Sequence, residues 1–506
     1  MKPKFITVLL SSVAILAAIG LALQRPSAPS EERETILLLY GAGLRDPVRE
    51  TIAAYQEEFP NVRVDVIPSG SGQLMAKVLA GEKGDLFMGA DASYVNTAYE
   101  KGAIAERLDV AVQWPVISVR KDSKLTIDGL ESLLGEGLRI GLGNPDGPAI
   151  GKSARQILEK AGLWDRVKVA VEKRGVFKPT VQELANDLKL GTIDAAILLD
   201  GTVAQHPELM AIAIPKEMNA LLDISIGVMK TSERPTRALH FARYLTARDR
   251  GLTHFAKYGY QVIDGDAWAD VPRLKLMSGG ILRQAVTKTL DDFEQREGVT
   301  IDRNFNGCGI LTSSLKAGGE ADAYFACDVS FMSQVSDLFL DPVAVSETRM
   351  VIGVPKGNPK RITKLADLAR DGLKIGVANA KQSALGALTE DLLARHGLLD
   401  AVMKNVRTQL PTADMLVTQL QGPKGSDSLL DAIVVYEVNA RRAVDDVEIV
   451  PIAEAVAPAV QPIAVARQSK YPHLTRRLLD ALSAEASRKR FEEQGFGWKA
   501  ALTKRR

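Results

Sequence analysis

The chain has 506 residues, which is too long for one hydrophobic core and predicts roughly two to four domains. Its hydrophobic fraction of 46% and charged fraction of 25% are those of a globular protein and exclude a disordered chain. The formal net charge of +2 provides no strong overall field, so nucleic acid is not predicted as a partner.

The N-terminus has the pattern of an export segment. Lys2 and Lys4 precede an uncharged, apolar run over residues 5–23, which is typical of a signal peptide. The run is also close to the ~20 residues that span a bilayer, so cleavage and retention as an anchor both stay open. We therefore predict that residues 1–34 are a signal peptide or membrane anchor plus a polar tether. The rest of the chain is then periplasmic or extracytoplasmic, because the lysines that precede an apolar segment stay on the cytoplasmic side of the membrane.

The next stretch shows that the chain repeats itself. Eight residues recur 237 positions further on, in the same order. They are Asp65, Gly70, Gly72, Leu74, Gly81, Asp85, Asp91 and Ser93, which return as Asp302, Gly307, Gly309, Leu311, Gly318, Asp322, Asp328 and Ser330. This register, kept over some thirty residues, indicates a tandem duplication.

The predicted elements of the first copy alternate between strands and helices. A continuous apolar run at 36–40 predicts a buried strand, and apolar spacings of three and four over 48–59 predict a helix that Pro60 ends. A strand at 62–67, a helix through Leu74 and a short strand at 86–88 follow. Strands and helices that alternate through glycine turns are typical of a doubly wound α/β fold.

The chain then moves into a second lobe and returns. A strand at 116–119 leads into it, and strands at 138–142 and 195–199 with a helix from near Ala149 build it. A strand at 224–228 leads back. The second copy retraces these elements. We therefore predict a first module at 35–263, a linker at 264–273, a second module at 274–500 and a basic tail at 501–506.

Glycine loops in each copy suggest an anion site. In the first copy they lie at 41–43, 69–72 and 146–149, each between a strand and a helix. Such turns gather at the carboxyl edge of a parallel sheet, where helix N-termini present backbone N–H groups to anions. Ser71 adds a hydroxyl, and lysine and arginine are scarce here. The alternative is that these loops only make turns.

Motifs for catalysis and cofactors are absent from the sequence. Residues 147–153 imitate a P-loop, but Asp146 stands where that motif needs glycine. The five histidines show no metal-ligand spacing. We predict neither an enzyme nor a cofactor nor a metal site.

The order of the loop motifs resembles one family. The set Gly41-Ala42-Gly43-Leu44, Ser69-Gly70-Ser71-Gly72, Phe87-Met88-Gly89-Ala90-Asp91 and Gly162-Leu163-Trp164-Asp165 is similar to that of periplasmic substrate-binding proteins of ABC transporters, in the molybdate/tungstate branch. The resemblance spans about 36–263 and 274–498. It implies modules of two lobes that close by a hinge on a small oxyanion and deliver it to an ABC permease. A monomer is expected.

The resemblance also implies site residues. The family's anion contacts fall on the loop residues Gly43, Ser71, Gly72, Ala90 and Ala149, with a further contact near Leu199. The family usually has serine at the position of Gly43. It often has tyrosine at the strand end, where the two copies have Leu199 and Tyr436.

Both cysteines fall in family ligand positions. Cys308 occupies the position of Ser71 and Cys327 that of Ala90, so the resemblance predicts neighbouring thiols at the mouth of the second cleft. Three interpretations stay open. The cysteines form a disulfide across the cleft, they are inert thiols, or they form with Tyr436 a thiophilic metal or oxyanion site.

The leading hypothesis is a double-module solute-binding protein for a molybdate-like oxyanion, with binding favoured at the first copy. One alternative is a membrane-anchored sensor or scaffold that uses degenerate modules. Another is a ferric-iron binder, which would need clustered tyrosines and carboxylates.

Overall fold

A computed structural model describes residues 33–422, 429–453 and 458–500. The predicted signal or anchor segment lies almost wholly outside these ranges, and so does the predicted basic tail. Within the described ranges, no helix has both the length and the apolar character needed to cross a bilayer.

The first module alternates strands and helices. Its strands are β1 (Glu34–Gly41), β2 (Val62–Ser69), β3 (Leu86–Gly89), β4 (Ile104–Gln113), β5 (Pro115–Arg120), β6 (Ile140–Gly143), β7 (Val176–Lys178), β8 (Ala195–Leu199), β9 (Leu209–Ala213), β10 (Leu222–Met229) and β11 (Gln261–Val262). Its helices are α1 (Arg45–Glu58), α2 (Ser71–Leu79), α3 (Ala92–Glu100), α4 (Ala149–Lys160), α5 (Trp164–Arg174), α6 (Val181–Leu190), α7 (Asp200–Ala204), α8 (Pro235–Leu245) and α9 (Gly251–Lys257).

The second module repeats the pattern. Its strands are β12 (Arg273–Gly279), β13 (Thr300–Asn306), β14 (Ala323–Phe325), β15 (Val343–Thr348), β16 (Met350–Pro355), β17 (Ile375–Ala378), β18 (Val406–Leu410), β19 (Ala432–Tyr436), β20 (Val447–Pro451), β21 (Ala459–Val465) and β22 (Gly497–Trp498). Its helices are α10 (Arg283–Glu297), α11 (Cys308–Lys316), α12 (Val329–Ser333), α13 (Ala384–Arg395), α14 (Leu399–Asn405), α15 (Ala413–Gln421), α16 (Glu437–Arg441), α17 (Pro472–Leu482) and α18 (Glu485–Glu493).

Each module consists of two lobes, and each lobe is built on one sheet. The sheets of the first module have the strand orders β11-β4-β10-β3-β1-β2 and β7-β6-β8-β5-β9. The second module has the matching orders β22-β15-β21-β14-β12-β13 and β18-β17-β19-β16-β20. The chain crosses between lobes after β4 and again after β9. The predicted α/β architecture of two tandem two-lobed modules is thus confirmed.

Both crossings were predicted from the sequence, but one strand beside them was not. The predicted strands at 116–119 and 224–228 lie within β5 and β10, on either side of the hinge. Strand β4, which leads to the first crossing, was not predicted. Its sequence mixes charged and apolar residues without clean alternation, because only part of it is buried between β10 and β11.

Four of the six repeated aspartates form hydrogen bonds that hold the fold. Asp85 and Asp322 each accept a hydrogen bond from a backbone N–H of the neighbouring strand, at 2.8 and 2.7 Å. Asp91 and Asp328 cap α3 and α12 by accepting from the amide two residues further on, at 2.8 and 2.9 Å. The recurrence that reveals the repeat therefore reflects shared loop geometry at the ends of strands and the beginnings of helices.

The segment between the modules is packed against both. The carboxylate of Asp266 accepts hydrogen bonds from the backbone N–H groups of His473 and Leu474, at 2.8 and 2.9 Å, in the first turn of α17. The ring of Trp268 packs edge-on against Tyr244 of the first module, with ring centroids 4.9 Å apart. Residues predicted as a linker thus connect the two modules through side-chain contacts.

The substitution Asp266→Ala tests this docking. It removes the acceptor for two N–H groups at a helix N-terminus, so we expect the free energy of unfolding to fall by about 0.5–2 kcal/mol. Urea denaturation of the full chain measures the change. Asp264→Ala is the control, because Asp264 is exposed and contacts His473 through its backbone carbonyl. Equal losses from both variants would contradict the capping role of Asp266.

Candidate functional site

Two helices of the first module begin at the predicted cleft without a capping side chain. These are α2, which follows Gly70, and α4, which follows Pro148. By contrast, Asp91 caps α3 and Thr180 caps α6. The first N–H groups of a helix have no acceptor within the helix, and its N-terminus carries partial positive charge. Both α2 and α4 therefore offer donors and a favourable potential to an anion.

The loops after β1, β2 and β3 converge in the first lobe. The hydroxyl Oγ of Ser71 accepts a hydrogen bond from the backbone N–H of Ala90, at 3.1 Å. The carbonyl of Ala90 accepts from Gln113 Nε2, at 2.7 Å. A Cβ on Gly41 would lie 3.0 Å from both Ser71 Oγ and the Cβ of Ala90. The structure thus brings Ser71 and Ala90 into direct contact, with the Ser71 proton still available for donation.

The lobes of the first module meet where α2 and α4 begin. A Cβ on Gly72 would lie 2.5 Å from the carbonyl oxygen of Gly147, which belongs to the opposite lobe. The same carbonyl accepts a hydrogen bond from the Tyr94 hydroxyl at 3.1 Å, and burial raises the pKa of Tyr94 to about 12. Ala149 is 3% exposed and packs in the buried cluster of the first lobe. The N-termini of α2 and α4 therefore face each other across a closed cleft.

Gly43 lies against other elements of the second lobe. A Cβ on Gly43 would lie 2.7 Å from Val181 Cγ1 and 3.3 Å from Thr202 Oγ1, on α6 and α7. Its carbonyl accepts hydrogen bonds from Gln205 Nε2 at 3.0 Å and the Tyr260 hydroxyl at 3.2 Å. Gly43 thus contacts the opposite lobe without using a side chain.

Two buried polar side chains of this region were not among the predicted site residues. Thr202 and Gln113 are fully buried, and neither Thr202 Oγ1 nor Gln113 Oε1 has a hydrogen-bond partner among the described residues. Buried polar atoms are nearly always hydrogen-bonded, so these two atoms mark positions for a polar contact. No sequence motif identifies them. Leu199, which the resemblance placed near the ligand, is buried and apolar.

Cys308 and Cys327 form a disulfide in the second module, with Cα atoms 6.3 Å apart. The Cys308 sulfur accepts a hydrogen bond from the Cys327 N–H at 3.0 Å, as Ser71 does from Ala90. The disulfide interpretation and the proximity of the two cysteines are confirmed. However, both cysteines lie in the same lobe and are buried, so the bridge does not cross the cleft or lie at its mouth. The described residues contain no cluster of three His, Cys, Asp or Glu side chains that could hold a metal.

Other residues fill and close the second cleft. Ile281, at the position of Gly43, is buried in the core, and a Cβ on Gly279 would overlap the Cys327 sulfur. The Gly309 N–H donates a hydrogen bond to Gln382 O of the opposite lobe, at 3.0 Å. Tyr436 is 2% exposed, its hydroxyl has no partner among the described residues, and burial raises its pKa. The second cleft thus keeps two helix N-termini without a capping side chain, at α11 and α13, but a disulfide sulfur replaces the Ser71 hydroxyl and the Gly309 N–H is bonded across the cleft.

The sequence matches a known family twice. Residues 36–261 and 274–497 each fit the sequence profile of the family described as bacterial extracellular solute-binding protein. The two matches correspond to the two modules that the strand orders define.

Relatives resemble one module at a time. A protein of Haemophilus influenzae, named as a binding protein, is 28% identical over 232 residues, covering 46% of this chain and 92% of that protein. The molybdate-binding protein ModA of Escherichia coli is 26% identical over 262 residues, covering 49% and 95%. The solved periplasmic molybdate-binding protein of Azotobacter vinelandii is 16% identical with a TM-score of 0.40, covering 44% and 98%.

Substitutions at Ser71 test the convergence of the loops. Ser71→Ala leaves the buried N–H of Ala90 without its acceptor, so we expect the free energy of unfolding of the first module to fall by about 1–3 kcal/mol. Ser71→Cys keeps a sulfur acceptor at this position, as Cys308 does in the second module. Its free energy of unfolding should therefore fall less than that of Ser71→Ala. Scanning calorimetry compares the two variants with the natural chain. Unchanged stability of Ser71→Ala would show that the hydrogen bond does not support the loop.

Proposed function

Because the chain belongs to the bacterial extracellular solute-binding proteins, the solute-binding components of ABC-type transport, we propose that its first module captures a small oxyanion of the molybdate type. The observation that carries this proposal is the Ser71 hydroxyl at the meeting of two uncapped helix N-termini, at Ser71 and Ala149, from opposite lobes. The second module has uncapped N-termini at α11 and α13 but a disulfide in place of that hydroxyl. Backbone N–H groups at helix N-termini are ready-made ligands for anions. The name of the Escherichia coli relative supports molybdate as the first anion to test.

The proposed contacts come from loops of both lobes. We assign them to Gly43, Ser71, Gly72 and Ala149, and add the hydroxyl of Thr202, which has no partner among the described residues. Ala90, predicted as a contact, has its N–H bonded to Ser71 and its carbonyl to Gln113, so it positions the Ser71 hydroxyl. These groups are neutral, so the anion is held by dipoles and hydroxyls and not by opposite charge. Such a site discriminates by geometry, because each donor must reach an oxygen of the bound anion. It also lets the anion leave when the lobes open, which delivery to a permease requires.

We propose that the second module supports the first and does not bind an anion. Cys308 and Cys327 were predicted as ligand contacts, but their sulfurs are joined to each other, and a disulfide sulfur has no proton to donate. The Gly309 N–H is already bonded across the cleft. Tyr436 remains as a buried hydroxyl, and the N-termini of α11 and α13 lack the hydroxyl donor that Ser71 adds to the first site.

The cellular setting follows from the same proposal. The protein works outside the cytoplasm as a monomeric double module, held or released by its N-terminal segment, and passes its ligand to an ABC permease. It needs no cofactor, since closing on an anion is binding and not chemistry.

Isothermal titration tests the proposal with molybdate, tungstate, sulfate and phosphate. We expect saturable binding of molybdate or tungstate, with one site per chain. The absence of binding heat for all four anions would reject the oxyanion assignment. Two sites per chain would reject the supporting role of the second module.

Matched glycine variants locate the site. A Cβ in Gly72→Ala would lie 2.5 Å from a backbone oxygen of the opposite lobe, so the lobes cannot close fully and affinity should fall at least about tenfold. Gly309→Ala makes the corresponding overlap in the second module and should leave affinity unchanged. Gly129→Ala is the neutral control, because its Cβ meets no atom within 4 Å. Loss of binding in Gly309→Ala alone would move the site to the second module.

A further inference from the structure

A buried ionic cluster lies where the two modules meet. Arg243 of α8 belongs to the first module, and Glu297 of α10 and Arg477 of α17 belong to the second. Their exposed fractions are 7%, 2% and 9%. Arg243 and Arg477 line a small cavity, together with Asp266 and Trp268 of the linker segment and Tyr471. The cluster is independent of both clefts.

The carboxylates near Arg243 are all bonded to other groups. Arg477 holds both oxygens of Glu297, at 2.7 and 3.0 Å. The oxygens of Asp266 are taken by backbone N–H groups of α17, and Asp270 accepts from His240 at 2.7 Å on the exposed side. Among the described residues, Nε, Nη1 and Nη2 of Arg243 have no hydrogen-bond partner. A buried guanidinium with all three nitrogens unpartnered is rare in a folded protein.

Arg243 keeps its proton although it is buried without hydrogen-bond partners among the described residues. Burial lowers the pKa of Arg243 to about 10, although the neighbouring carboxylate of Glu297 acts in the opposite direction. The side chain therefore remains charged at neutral pH. Because Glu297 already neutralises Arg477, the uncompensated buried charge is that of Arg243, whose free donors favour the binding of an anion.

The size of the cavity limits the occupant. Its volume of about 10 Å³ is near the minimum that one water-sized particle needs. A tetrahedral oxyanion is far larger than this space, and among anions a monatomic halide comes nearest to it in size. We propose that this cavity binds one halide ion, of the chloride or bromide type, between the Arg243 guanidinium and the second module. Because the cavity is lined from both modules, the ion stabilises their docking.

Crystals of the natural chain grown with bromide in place of chloride provide the direct test. We expect an anomalous bromide peak within hydrogen-bonding distance of the Arg243 guanidinium, at about 3.2–3.6 Å. Density at this position without anomalous signal would identify a water molecule and overturn the proposal. Neither result depends on ligand binding in the first cleft.

Thermal unfolding in solution gives an independent test. We compare sodium bromide with sodium gluconate at equal ionic strength. Once the bromide concentration exceeds the Kd for bromide, we expect each further tenfold increase in bromide to raise the Tm of the natural chain by about 1–3 °C. Arg243→Met removes the charge at similar length, so its Tm should not respond to bromide. Arg395→Met, at a side chain that is 73% exposed, should respond like the natural chain. A bromide response retained by Arg243→Met would overturn the site.

Discussion

The close approach of backbones across each cleft is the constraint on which the structure depends. At Gly72 the N-terminus of α2 comes so near to the carbonyl of Gly147 that no side chain fits between them. Gly309 meets the opposite lobe of the second module in the same way. Neither glycine has a positive φ, so the requirement is for space and not for an unusual conformation. The lobes can therefore close only because these loops have glycine at the point of contact. This holds for both modules.

One loop hydrogen bond occurs in both modules, with a serine hydroxyl as the acceptor in the first and a disulfide sulfur in the second. In both modules the first residue of a helix accepts from the amide that follows the third strand, through Ser71 in one and Cys308 in the other. A serine in this role can still donate its proton to a ligand. A cysteine joined to Cys327 cannot, and its sulfur fills space behind Gly279. The architecture is thus kept in the second module while the hydroxyl donor at this position is lost.

Sequence patterns of single strands and helices predicted the architecture. They did not predict contacts between residues that are far apart in the chain. An apolar run bounded by glycine predicted β1, since a buried strand must be apolar. The glutamine that holds the loop carbonyl comes from β4 as Gln113 in the first module, but from β21 as Gln461 in the second. Strand β21 corresponds in order to β10, not to β4. An internal repeat cannot reveal a contact whose donor has changed strands.

The central claim is that one of two similar clefts binds an oxyanion. Anomalous diffraction from crystals of the mature chain soaked in tungstate tests it most directly, because tungsten locates the ion without prior phases. The account predicts one tungsten peak, between the helix N-termini at Ser71 and Ala149, within hydrogen-bonding distance of backbone N–H groups. A peak in the second module beside Tyr436, or no peak in either cleft, would contradict it.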